Sequence, residues 1–117
     1  MRKNAGKDFN LEEDEEILSI DSPRQNVLGP WFVIYKDVSD RWAIVILHYD
    51  SKPRLGIRWF YGNTGTPAVR GFATWFIIPE LMLESILGNL PIDGQLRQKV
   101  NDILSGKISI SVLLKEK

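Results

Sequence analysis

Between residues 31 and 79 the chain passes through four stretches rich in aromatic and β-branched residues, each followed by a turn signal. WFVIYK (31–36) is followed by DVSD, RWAIVILHYD (41–50) by SKP, and LGIRWFY (55–61) by the loop GNTGTPAVRG. FATWFII (72–78) ends at Pro79. Strand-like runs joined by short turns predict an antiparallel meander. The second and fourth runs are apolar at consecutive positions, so both of their faces must be covered. The sheet therefore needs a roof of helices or a second subunit.

A roof follows directly. After Pro79, Leu83, Ile86, Leu87 and Leu90 recur at helical spacing. Asp93 then caps a second helix whose Leu96, Val100, Ile103 and Leu104 form an apolar stripe, and Gly106 ends it. KISISVLL (107–114) alternates and predicts a fifth strand. The expected fold class is α+β, a four- to five-stranded antiparallel meander with two C-terminal helices packed on one face. Residues 1–9 read as a disordered leader and 10–117 as a single domain. Its parts are an acidic N-terminal segment (10–22), the sheet (31–79), helices (80–105) and a C-terminal strand (107–114). In the acidic segment, Asn10 with Glu13 three residues on predicts a short helix over 11–18. EILSID reads equally as a strand. Asp21-Ser22-Pro23 and Gly29-Pro30 are expected breaks.

At 117 residues the chain is long enough to bury a core without staples. It has no cysteine, which excludes a disulfide framework and thiolate metal sites and fits a reducing compartment. No apolar run approaches the roughly 20 residues of a membrane span, and no secretory h-region is visible. A cytoplasmic location is the expectation. The zero formal net charge hides an acidic head, with three basic against seven acidic residues in 1–21. The middle, 36–70, is basic, with six against three. The sequence pI of about 6.6 argues against a dedicated duplex-DNA binder.

No acid, base and nucleophile set stands out, so neither catalysis nor a cofactor is expected. The only histidine, His48, lacks co-ligands at metal-binding spacing and reads as a surface or hydrogen-bonded structural residue. GNTGTP joins two strands and lacks the lysine and hydroxyl of a phosphate loop. What remains is the stretch 54–76, with three arginines, six aromatics and no acid. Alternation along its first strand puts Leu55, Ile57, Trp59 and Tyr61 on one face and Arg54, Gly56, Arg58 and Phe60 on the other. If the first set serves the core, Arg54, Arg58 and Phe60, joined by Arg70 and Trp75, form a face able to stack on bases and hold phosphates.

Residues 55–87 resemble the single-stranded-DNA-binding transcriptional coactivator family called positive cofactor four, related in fold to the Whirly proteins. The resemblance rests on Ile57-Arg58-Trp59-Phe60, the turn 62–65, Pro67, Arg70-Gly71-Phe72 and the helix after Pro79. It implies a curved four-stranded sheet with a following helix, dimerised to clasp single strands. The chain departs from the family in having one charge at Val69-Arg70, where paired lysines are usual, and in its second helix and tail. The expected function is thus a noncatalytic, homodimeric binding protein for single-stranded nucleic acid, with no membrane partner. Two alternatives are a protein-interaction module pairing through its tail, and an apolar-ligand domain lined by Trp31, Trp42 and Trp75.

Overall fold

The computed structural model describes residues 9–22, 25–62, 64–70 and 72–115. Its order is α1 (Asp14–Leu18), β1 (Val27–Asp37), β2 (Trp42–Tyr49), β3 (Lys52–Trp59), β4 (Ala68–Val69), β5 (Phe72–Ala73) and β6 (Phe76–Ile77). A 3₁₀ turn (Glu80–Met82) then leads to α2 (Leu83–Asn89), α3 (Gly94–Leu104) and α4 (Ser111–Lys115). The fold is α+β. A four-stranded antiparallel sheet has the order β1-β2-β3-β6, and β4 pairs with β5 in a separate hairpin.

β2 behaves as its composition demands. Ala43, Ile44, Val45, Ile46 and Leu47 are all completely buried, because β2 lies between β1 and β3 and both of its faces are roofed. On one face Ile44, Ile46, Leu55 and Ile78 pack with Leu83, Leu87 and Leu90 of the α2 region and with Val100 and Ile103 of α3. On the other face Ala43, Val45, Leu47, Phe60 and Trp75 pack with Phe9, Leu11, Ile17 and Ile20 of the N-terminal segment. The acidic segment is therefore a strap across the sheet. Its Glu12, Glu13 and Glu15 are exposed while its few apolar residues provide a second roof.

Several expectations change. Gly29-Pro30 does not break β1, which continues through it with a register shift between Leu28 and Phe32. Such irregularities accommodate a residue that cannot donate to the ladder. The expected fourth strand is split into β5 and β6. Between them Thr74 N–H donates to Pro67 O (3.1 Å) and Trp75 N–H to Ser22 O (3.0 Å), so these two residues leave the ladder. The helix expected over 11–18 begins only at Asp14, because Asn10 Oδ1 accepts from Glu12 N (3.1 Å) in a tight local turn.

The expected C-terminal strand (107–114) does not form: its first half is irregular and its second half lies in α4, with Leu113 in the helix-side core. Its apparent alternation reflects a segment too short for periodicity to decide. Asp93 does cap α3, accepting from Gln95 N (2.8 Å). Gly106 ends that helix with φ +85°. The leader expected over 1–9 lies mostly outside the described residues, and its last member, Phe9, is buried. Among the described residues no helix is long and apolar enough to cross a membrane.

Candidate functional site

Of the five residues expected to form a binding face, three lie inside. Arg58 is fully buried, Phe60 is fully buried, and Trp75 is 3% exposed. The alternation along β3 is as expected, with Arg58 and Phe60 on the opposite side from Leu55. The expectation of an open face fails because the strap covers it. Phe60 meets Phe9 edge-on at 5.2 Å and Trp75 at 6.2 Å. The Trp75 indole donates to Ile20 O (2.6 Å), and Arg41 ties Phe9 O (2.7 Å) to Phe60 O (2.7 Å). Lys36 pairs with Asp14 at 2.9 Å.

Lifting the strap to free this face would expose Phe9, Leu11, Ile17 and Ile20, at most 8% accessible in the fold. At about 1.5–3 kcal/mol for each buried side chain the cost is about 6–12 kcal/mol. That is comparable to the whole stability of a domain. The strap is core, not a lid.

Arg58 therefore serves the fold. Its Nη1 donates to Thr74 O (2.7 Å) and Pro67 O (3.0 Å), and its Nη2 donates to Thr64 O. Its Nε has no partner among the described residues. The planar fork thus gathers three carbonyls of the 60–75 excursion, a task suited to arginine's fixed array of donors. Gly65, at φ +71°, is required there, because a Cβ would run into Trp59 O and Arg58 Nη2. Desolvation by burial lowers the Arg58 pKa from the ordinary arginine value to about 10. It stays cationic at neutral pH and is not free to hold a phosphate.

Of the remaining two candidates only Arg70 is fully exposed. Arg54 lies half-buried, with Nη1 donating to Pro53 O (3.1 Å) and Nη2 to Glu80 Oε1 (3.2 Å). Arg70 is exposed at the tip of the β4–β5 hairpin with φ +54°.

The rings assigned to the core by alternation stand at the surface instead. Trp59 is 39% exposed and Tyr61 54%, joined by Val69 at 61%, Phe72 at 72% and Phe76 at 55%. Trp59 N donates to Thr66 O (2.7 Å) and Thr66 N to Trp59 O (3.1 Å), closing a loop that carries Tyr61. Phe76 is the register partner of Ile57, two residues from Trp59 on the same face of β3. Trp59 itself pairs with Trp42, and Trp42 stacks obliquely on Tyr35 at 5.4 Å. Sequence reasoning missed this surface because period-2 patterning shows which residues share a face, not where along the strand the helical roof stops.

The other expectations resolve readily. His48 Nδ1 accepts from the Trp31 indole (3.0 Å), a structural hydrogen bond between β1 and β2. Trp42 belongs to the helix-side core and Trp75 to the strap-side core, so they cannot line one apolar pocket. Among the described residues no three His, Asp or Glu side chains converge as a metal site. Comparison of the chain with protein-family models, curated proteins and solved structures finds no match.

Proposed function

We propose that this chain is a noncatalytic binding protein that engages a second polypeptide through the rings displayed between residues 59 and 76. The simplest such partner is another copy of itself. One observation carries the reading: Trp59, Tyr61, Val69, Phe72 and Phe76 are between 39% and 72% exposed within one short stretch. Apolar patches rich in aromatics mark interaction surfaces, since such rings bury large areas at small entropic cost. β6 adds to it, being one of the two edge strands of the sheet and only two residues long, with Phe76 in it.

Sedimentation velocity over a wide concentration range tests this, with Phe72→Lys and Phe76→Lys as variants. The wild-type mass is expected to rise with concentration. Each variant should associate about thirtyfold more weakly, the loss of roughly 2 kcal/mol at an aromatic anchor, with unchanged circular dichroism. Association that both variants retain would place the contact elsewhere. A wild-type monomer at every concentration would remove the second copy as the partner.

A second reading rests on Arg70, which is exposed at a hairpin tip two residues from the exposed Phe72. One cation and one exposed ring suit a short contact with single-stranded nucleic acid. Titration with a labelled oligonucleotide should then show weak binding with a log–log salt slope of about −0.7 to −1.4, one or two phosphates. Binding unchanged in Arg70→Gln, or indifferent to salt, would rule it out.

A further inference from the structure

The opposite end of the β2–β3 hairpin carries a separate recess. Tyr49 and Lys52 are register partners there, Arg54 is opposite Leu47, and Ile77 is opposite Gly56. Leu47 and Tyr49 belong to the strap-side set. Alternation therefore puts Tyr49, Lys52, Arg54 and Ile77 on that same face. The Trp42–Trp59 pair sits seven residues back along β2, roughly 23 Å away at strand rise. The two sites meet only at β6, where Phe76 and Ile77 are consecutive residues and so face opposite sides of the sheet.

It is a cleft of about 380 Å³ lined by Tyr49, Lys52, Arg54, Ile77, Ile78 and Pro79, together with Asp50. Its size is at the small end of ligand pockets. Its walls divide chemically. Ile77, Ile78 and Pro79 are apolar, while Lys52, Arg54 and the Tyr49 hydroxyl are polar. The Lys52 side chain has no ion-pair or hydrogen-bond partner among the described residues. The one acid of the lining is already engaged, since Asp50 Oδ1 accepts from Asn26 Nδ2 (2.8 Å).

Arg54 spends one N–H on Pro53 O and one on Glu80 Oε1 at 3.2 Å. The Glu80 side chain is 74% exposed whereas that of Arg54 is 15% exposed. A carboxylate therefore already rests on this guanidinium. It is held by one long contact from a solvated side chain, a type of pair that binds weakly.

We propose that this cleft binds a small organic carboxylate with an apolar body. The carboxylate takes the place of Glu80 on the Arg54 fork and approaches the Lys52 ammonium. The body lies against Ile77 and Pro79. Two parallel N–H···O bonds to a guanidinium are stronger than the single one they replace. Glu80 is then an internal competitor, and its removal must tighten binding.

The test is titration of the full chain with benzoate, followed by two-dimensional NMR or calorimetry, with benzamide and inorganic phosphate as controls. A tripeptide ending in leucine, with a free or an amidated terminus, separates a peptide carboxylate from a small-molecule one. Benzoate is expected to bind saturably, to shift the amides of residues 49–54 and 77–80, and to outcompete both controls. Glu80→Gln should tighten it about 2- to 5-fold, the occupancy of a weak exposed ion pair. Arg54→Gln should abolish it while the fold remains intact by circular dichroism. Equal binding of benzoate and benzamide, weaker or unchanged binding in Glu80→Gln, or no saturable shift would each overturn the proposal. A preference for the free-terminus peptide over benzoate would identify the carboxylate as a peptide's.

Discussion

Replacing Arg58 by methionine is expected to lower the unfolding free energy by about 3 kcal/mol, a large share of a domain's stability. Two opposing terms set this value. Three charge-assisted hydrogen bonds to Thr74 O, Pro67 O and Thr64 O are lost. Each orphaned carbonyl costs about 1–3 kcal/mol, least where water can reach it. Against this, methionine removes the burden of a desolvated cation, the same burden that lowers the Arg58 pKa to about 10. Because the loop carbonyls are a fixed set, the hydrogen-bond loss prevails.

Urea denaturation measures the difference, and hydrogen exchange at the Thr74 amide, bonded to Pro67 O, reports whether the excursion has come loose. Arg58→Lys should fall between wild type and methionine, since an ammonium cannot reproduce the fork. A loss below about 0.5 kcal/mol, typical of ordinary surface positions, would show that the carbonyls rehydrate freely and that Arg58 pins nothing.

The pH dependence has a defined sign. The folded pKa lies below the unfolded one, so in the window from about 10 up to the ordinary arginine value the unfolded state holds the proton more tightly. Stability from this group then rises with pH through that window and is constant below it. The wild-type and methionine curves should therefore stay a fixed distance apart between about pH 6 and 8.

The second large effect is expected at Ile17. It is fully buried from a five-residue helix that has no side-chain N-cap. So short a helix has little stability of its own. Its position depends on Ile17 and Leu11 in the strap-side core and on the bonds from Trp75 and Arg41. Ile17→Ala should cost about 3 kcal/mol, within the usual range for truncating a buried isoleucine. Chemical denaturation of this variant separates a strap that is core from one that merely rests on the sheet. In the second case stability would hardly change and Phe60 and Trp75 would become accessible.

These two residues also show where the sequence was readable. The unbroken apolar run of β2 stated that both sheet faces are covered, and the helical spacing after Pro79 identified one of the covers. The second cover was hidden in a segment dominated by acids. Glu12, Glu13, Glu15 and Asp14 suggested a solvated tail, while Leu11, Ile17 and Ile20 fit no regular period. Those three apolar residues beside so many charges were the available signal. Similarly, ISIS at 108–111 resembled an alternating strand, but Leu113 is drawn into the helix-side core and the segment turns instead.

The sequence by itself determined the α+β class, the meander, the capped α3 and the parity that puts Arg58 and Phe60 together opposite Leu55. These follow from local rules: turn chemistry, side-chain direction and the need to remove apolar runs from water. Only the tertiary structure decided that the Arg58 face is closed and that Trp59, Phe72 and Phe76 lie open. Parity groups side chains but carries no information about which distant segment covers which group. Here the strap, about forty residues before β3, settles the question by burying Phe9, Leu11, Ile17 and Ile20 against Phe60 and Trp75.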